Sequence, residues 1–258
     1  MAINYRYLAG RIAIFIILVG AWEVCSRAFG LYWFSSPYHT LERLVRMLWS
    51  WEIQFHMRYT LFEAAIGFLI GGSLGVFSPF LLRPFPTWTS ILDPFMVAGY
   101  GMPKLAIAPL FILWFGIGIA SKVAIVVSIV FFVVYFNTFA GIRSVNPDLV
   151  KLARVMGANE RHISREIVWP SAVPYIFTGF KIALPFSVAA AIIGELISSN
   201  KGLGYLIEIP ADDFDTTGVF VGLIVITAVI MIINDMVNRL QRRALIWRPE
   251  EHEELKNL

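Results

Sequence analysis

The apolar positions of this chain are gathered into long runs instead of being spread at the spacing of a surface helix or strand. Residues 12–22, 60–82, 88–115, 123–142, 173–198 and 219–237 are almost wholly apolar, and polar or proline- and glycine-rich joints separate them. A helix of about 20 apolar residues crosses a hydrocarbon core of about 30 Å. The pattern therefore predicts an all-α, polytopic membrane protein with about six transmembrane helices, in a single transmembrane domain over residues 1–258. The first run follows Arg6 and Arg11 and has the outline of a signal peptide. No small-x-small cleavage site follows it, and it reads as an uncleaved first span that continues more weakly past Glu23 and Arg27.

Three stretches depart from this pattern. In residues 40–52, Leu41, Leu44, Val45, Leu48 and Trp49 recur at helical spacing behind Thr40, a suitable helix cap. This predicts an external interfacial helix, with Trp49 and Trp51 at headgroup depth or with its apolar stripe covering the membrane helices. The second departure is the run 88–115, which as one straight helix would be about 42 Å long. Pro94, Gly99, Gly101, Pro103 and Pro109 are expected to break it, and broken backbone at membrane depth belongs against protein or a wet cavity. Asp93, Pro103 and Lys104 in this run, with Lys181 and Glu195 in the fifth span, are the candidate pathway residues, with snorkelling toward the cytoplasmic side as the other reading of Lys181 and exposure to outer water as that of Glu195. For Lys104 three readings stand: pairing with Asp93 if the segment stays helical, reaching for the outer interface, or lining the path and attracting an anion.

The third departure is a charged island at 145–174, VNPDLVKLARVMGANERHISREIVWPSAVP. Asn146 can cap a helix opened by Pro147 and Asp148; Leu149, Leu152, Ala153 and Met156 share one face, and Gly157 can supply a left-handed corner. Asn159 can cap a second helix carrying Ile163 and Ile167, which Pro170 is expected to stop.

A further motif lies inside the second span. Gly71-Gly-Ser73-Leu-Gly75 matches the G-x-S-x-G of serine hydrolases, which would need a strand-to-helix elbow and a histidine base. A continuous apolar run offers neither; Gly67, Gly71 and Gly75 instead repeat every four residues, a face on which another helix can approach closely.

Composition agrees with the pattern: 58% of residues are apolar and 15% charged. The net charge of +3 does not indicate nucleic acid, because the Lys and Arg residues flank the apolar runs. With the N-terminus inside, Arg83, Arg143, the island and the basic tail from Arg239 fall on the cytoplasmic side, and Arg27, Arg43, Arg46, Arg58, Lys122 and Lys201 on the other. That bias, about twofold, predicts that both termini and the island are cytoplasmic. On this reading Gly116, Gly118 and Lys122 form an external turn, and the tail 250–258 is a solvated end. One cysteine, Cys25, and four scattered histidines offer no disulfide and no metal cluster.

Leu152-Ala153, then Gly157, then Ile167-x-Trp169-Pro170 resembles the EAA loop of bacterial ABC importer permeases: Glu-Ala-Ala, three residues, Gly, nine residues, Ile-x-Leu-Pro. Lys151 stands where that family has Glu, Leu152 where it has the first Ala, and Trp169 where it has Leu, while the spacing is intact. Residues 102–118, 137–149 and 194–207 are similar to the nitrate, taurine and alkanesulfonate branch, and the resemblance extends over roughly residues 30–245. It implies a type I importer permease subunit of the bacterial cytoplasmic membrane, embedded in lipid. Lys151, Leu152, Ala153, Met156, Gly157, Ala158, Ile163, Ile167 and Pro170 would form the ATPase-coupling loop. The implied partners are two cytoplasmic ATP-binding subunits, a second permease subunit, most simply a second copy of this chain, and an extracytoplasmic solute-binding protein. The chain has no G-x-x-x-x-G-K-[ST] loop, so ATP would be hydrolysed by the partner and no cofactor is expected here. The implied solute is a small anion of the nitrate, sulfonate or taurine kind, or a related small organic compound. Two readings of other classes remain: a self-sufficient secondary transporter or channel using the intramembrane charges, and an intramembrane serine protease using Ser73.

Overall fold

The computed structural model of the chain describes residues 5–244, with side chains from 9 to 239. The tail 250–258, and residues 245–249 of the basic segment that follows Arg239, lie outside the described residues. In chain order the helices are α1 (Tyr5–Phe29), α2 (Pro37–Trp49), α3 (Glu52–Leu82), α4 (Pro86–Gly101), α5 (Lys104–Phe115), α6 (Ile119–Arg143), α7 (Pro147–Val155), α8 (Glu160–Ile163), α9 (Trp169–Ile197), α10 (Tyr205–Asp212) and α11 (Thr216–Ala244). Five helical segments are long and apolar enough to cross a membrane, and six if the bent pair α4–α5 counts as one span. The described elements are all helical, as the apolar runs require.

Contacts divide the chain into two units. One comprises Met1–Tyr59 and Asn200–Ala228. Its polar centre is Ser35, fully buried, whose hydroxyl meets those of Thr40 at 3.0 Å and Thr217 at 2.9 Å. Trp22 donates to the Ser35 carbonyl at 2.6 Å and stacks on Phe220 with centroids 5.2 Å apart. Arg43 pairs with Asp215. The helix α2 starts three residues before the expected Thr40: Ser36 is the cap, accepting from the His39 N–H at 3.2 Å, and Pro37 takes the first turn. Thr40 is buried and hydrogen-bonded, while Leu41, Val45, Leu48 and Trp49 stay exposed.

The other unit comprises Thr60–Ser199 and Val229–Leu258. Its centre is α6, packed between α3 and α9. On the α3 side the repeated glycines do what their spacing predicts: a Cβ on Gly67 would fall 2.4 Å from Val126 Cβ, one on Gly71 2.9 Å from the Val127 carbonyl, and one on Gly75 2.8 Å from the Phe131 carbonyl. Only hydrogen fits there, so the two backbones lie nearly in contact. On the opposite side, Gly141 and Gly179 let α6 and α9 approach in the same way, against Tyr175 and Asn137. Ile125, Val126, Val130 and Val134 fill the space between, all at most 1% exposed.

The long third run is broken where its prolines and glycines fall. The helix α4 ends at Gly101, Met102 and Pro103 are extended, and α5 leaves at 95° to it. With 16 and 12 residues, the halves are about 24 and 18 Å long, and neither crosses a 30 Å core alone. The pair nevertheless carries the chain across. Arg83, just after α3, contacts the island, whereas Lys122 in the first turn of α6 contacts Glu63, about three turns into the same α3. The segment between Arg83 and Lys122 must therefore run back about 30 Å along α3, so α4–α5 is a broken span and not a loop returning to its own side.

Candidate functional site

The island is built as its capping residues dictate. Asn146 accepts the Asp148 N–H at 2.8 Å and opens α7, and Asn159 accepts the His162 N–H at 2.8 Å and opens α8. Between them Gly157 sits at φ +88°, in the left-handed region, with open space where a side chain would go. Glycine is needed there for its backbone angle and not for close packing. Arg154 closes the corner by donating from Nε and Nη2 to Glu160 at 3.0 and 2.7 Å. Beyond it Ile163 is fully buried and Ile167 half-buried, anchoring α8 to its unit.

Pro170 does not stop the second helix. After α8 the backbone makes a five-residue π-helical turn, Ser164–Val168, in which the Trp169 N–H reaches back to the Ser164 carbonyl. This shifts the pairing register just before the proline, whose missing N–H then falls in the first turn of α9. The Ser171 hydroxyl donates to the Ile167 carbonyl at 2.7 Å, and the helix continues to Ile197.

The outward face of α7 is unusual for so polar a segment. Leu149 is 53% exposed, Leu152 57%, Val155 85% and Met156 78%. Below it an open concavity of about 460 Å³ is lined by Ala153, Met156, Gly157, Ala158, Asn159, His162, Glu166 and Ile167. Lys151 makes an exposed pair with Asp148 at 3.2 Å. The residues predicted for a coupling loop are thus brought together on one surface, except Ile163, which lies inside, and Pro170, which belongs to the span below.

The candidate pathway residues are not brought together. Asp93 is exposed on α4, and Pro103 is exposed at the bend. Lys104 does not pair with Asp93, because the helix that would have placed them on one face ends between them. Its ammonium donates instead to the Gly99 carbonyl, an acceptor left free where α4 stops, and lies 4.4 Å from the centroid of Phe132. Lys181 is half-buried on α9. Glu195 faces neither water nor an open face: it is fully buried, and its Oε1 accepts from the Thr60 hydroxyl at 2.7 Å. Next to it, Lys122 donates to Glu63 at 3.1 Å and to the Ser199 hydroxyl at 2.7 Å. Glu63 is 1% exposed and the Lys122 side chain 8%, so Lys122 belongs to a buried ion cluster and not to the expected external turn. Neither the Lys122 partnership nor the contact of Arg83 with the island is legible in the sequence, since both join segments far apart in the chain. Ser73 lies in mid-helix on α3, exposed, so the elbow that a nucleophilic serine of this motif requires is absent there.

A bundle of membrane-length helices, one of them broken by prolines, with a helix–glycine–helix loop joining the central pair, defines a permease of the type I ABC importer fold. Residues 67–246 match the profile of the binding-protein-dependent transport system inner membrane component, and the chain belongs to this family. The formylaminopyrimidine transport permease ThiX of Halalkalibacterium halodurans is 32% identical over 243 residues, spanning 92% of this chain and 95% of that protein. The taurine transport permease TauC of Escherichia coli is 32% identical over 165 residues, 64% of this chain and 60% of its own. Among solved structures, an amino acid ABC transporter crystallised with histidines superposes with a TM-score of 0.63 at 17% identity, over 80% of this chain and 97% of that one.

Proposed function

We propose that this chain forms the translocation path of an ATP-driven, binding-protein-dependent importer and couples it to a cytoplasmic ATPase through the loop 145–174. The observation that carries this reading is the face of α7. Four large apolar side chains at helical spacing are held out on a short helix beside a glycine corner, above a concavity, with no covering element among the described residues. An amphipathic helix presented this way fits a groove on a partner protein. In the assembly two ATPase subunits dock on two such loops, a second copy of this chain completes the path, and a binding protein delivers solute from outside. Both termini and the island then lie in the cytoplasm, and α2 lies in the outer interface with its exposed Leu41, Val45, Leu48 and Trp49 toward lipid. The solute is a small anion of the sulfonate or taurine kind or a related small organic compound, in keeping with the names of the relatives. Asp93, Pro103, Lys104 and Lys181 are the residues we place along its path.

Cysteine chemistry in a Cys25→Ser background tests the reading. A cysteine introduced by Val155→Cys should cross-link to the co-expressed ATPase subunit, and one introduced by Leu113→Cys, exposed on α5, should not. Equal cross-linking at both positions contradicts docking through α7. In intact cells Glu160→Cys should stay protected from an impermeant thiol reagent; labelling from outside overturns the orientation.

A further inference from the structure

Arg83 stands in the joint between α3 and α4, where a basic residue is expected on orientation grounds alone. Its side chain is nevertheless only 17% exposed, and it is spent on the island. Nη1 donates to the Ser164 hydroxyl at 2.6 Å and lies 3.6 Å from Glu160 Oε2. The other carboxylate oxygen of Glu160 receives both donors of Arg154 from α7. One carboxylate therefore sits between two guanidinium groups, one from α7 ahead of the glycine corner and one from the joint after α3. Ser164 is the first residue of the π-helical turn, the place where the backbone pairing of α8 passes into that of α9. Such turns interrupt the regular α-helical pairing and occur frequently at functional sites.

Buried Ile163 anchors α8, but α7, ahead of the glycine corner, is held less tightly. Its apolar face points outward, and Gly157 has no packing neighbour to hold the corner. By contrast α3, from which Arg83 hangs, is packed backbone to backbone on α6 through Gly67, Gly71 and Gly75. A displacement of α7 and α8 by a docked partner reaches α3 through Arg154, Glu160 and Arg83, and α3 cannot move without carrying the helix it is pressed against.

We infer that Arg83 is the positioning residue that transmits movement of the coupling loop to the membrane helices, by fastening Glu160 and Ser164 to the end of α3. This rests on the docking role proposed for α7, and it adds the route by which docking moves the helices. It predicts a separation of two properties. Without Arg83 the loop still presents its apolar face, so the ATPase still binds; the rearrangement at the far ends of the helices is what fails.

The test uses the permease purified with its ATPase in lipid nanodiscs, with spin labels on cysteines replacing Leu74 on α3 and Leu113 on α5 in the Cys25→Ser background. Both positions are exposed, and pulsed spin-label distances are recorded without nucleotide and with ATP and vanadate. In the parent protein the distance distribution should shift on ATP and vanadate. In Arg83→Ala the ATPase should co-purify in the parent ratio, while the shifted population falls at least about threefold. Arg83→Lys, which keeps the charge at this position, should retain part of it. A parent-like shift in Arg83→Ala overturns the inference, and so does loss of ATPase co-purification, which would make Arg83 part of the docking surface itself. If the parent protein fails to hold an ATPase, the docking reading fails instead, and that outcome is recognised before any Arg83 variant is compared.

Discussion

The helices α3, α6 and α9 run between two clusters of charge that use the same residue types to opposite effect. At one end, the island pairs Lys151 with Asp148 and Arg154 with Glu160 while all four side chains remain 58–81% exposed. At the other, about 32 Å away along α6, Glu63 and Lys122 pair with 1% and 8% of their side chains exposed, and Glu195 is fully buried beside them. Exposed pairs contribute little and exchange readily with water or with a partner's charges. A buried pair costs a great deal to break, because either partner alone is a charge without a counter-charge in a dry place. The two ends differ in how readily their contacts are remade: the exposed pairs of the island exchange easily, apart from the Arg83 contact to Glu160 and Ser164, while the buried pair at the other end ties the helices together.

Several substitutions sharpen or break this contrast, and the largest effect belongs to the buried end. Lys122→Met leaves Glu63 buried without its cation and should lower stability by about 3–5 kcal/mol, read as loss of monodisperse protein in detergent, with partial recovery in the double variant Glu63→Gln/Lys122→Met. Next comes Gly71→Leu, which forces a side chain into the 2.9 Å gap to the Val127 carbonyl. It should cost about 1–3 kcal/mol, visible as a lower thermal midpoint, while Gly10→Leu, with open space around it, should change nothing measurable. Arg154→Ala loosens the corner and should cost about 1 kcal/mol or less in stability. Smallest is Lys151→Ala, whose pair with Asp148 is exposed on both sides; its thermal midpoint should match that of the parent within error. If Lys151→Ala proved as damaging as Lys122→Met, the distinction between the two ends would fail.

What the sequence made legible follows from the range of each signal. The spans were readable because an apolar run of membrane length is a local property. The same holds for the caps Asn146 and Asn159, which act within three residues, and for the four-residue repeat of Gly67, Gly71 and Gly75, which lies on one helix. The break near Pro103 was readable as a break, but its 95° angle was not, and the angle removes the Asp93–Lys104 pairing and sends Lys104 to Gly99. Pairs between helices left no local trace: Lys122 meets Glu63 from 59 residues away, and Arg83 meets Ser164 from 81. A lysine three residues into a helix after two glycines reads as a turn, and only the packing of α3 and α9 on α6 shows it to be buried. Pro170 misled for a related reason, since a π-helical turn has no sequence signature strong enough to oppose the usual reading of a proline as a stop.

The central claim is that the exposed loop around Gly157 exists to couple, and one measurement addresses it most directly: ATP hydrolysis by the purified permease–ATPase complex of Gly157→Trp, with and without loaded binding protein. The residue at this corner has φ +88° and open space around it, so a bulky replacement strains the corner by about 1 kcal/mol or more without disturbing the packing of the spans. The account predicts a well-assembled permease whose ATP hydrolysis no longer responds to the loaded binding protein. Parent-like stimulation, with the ATPase co-purifying in the normal ratio, would contradict it.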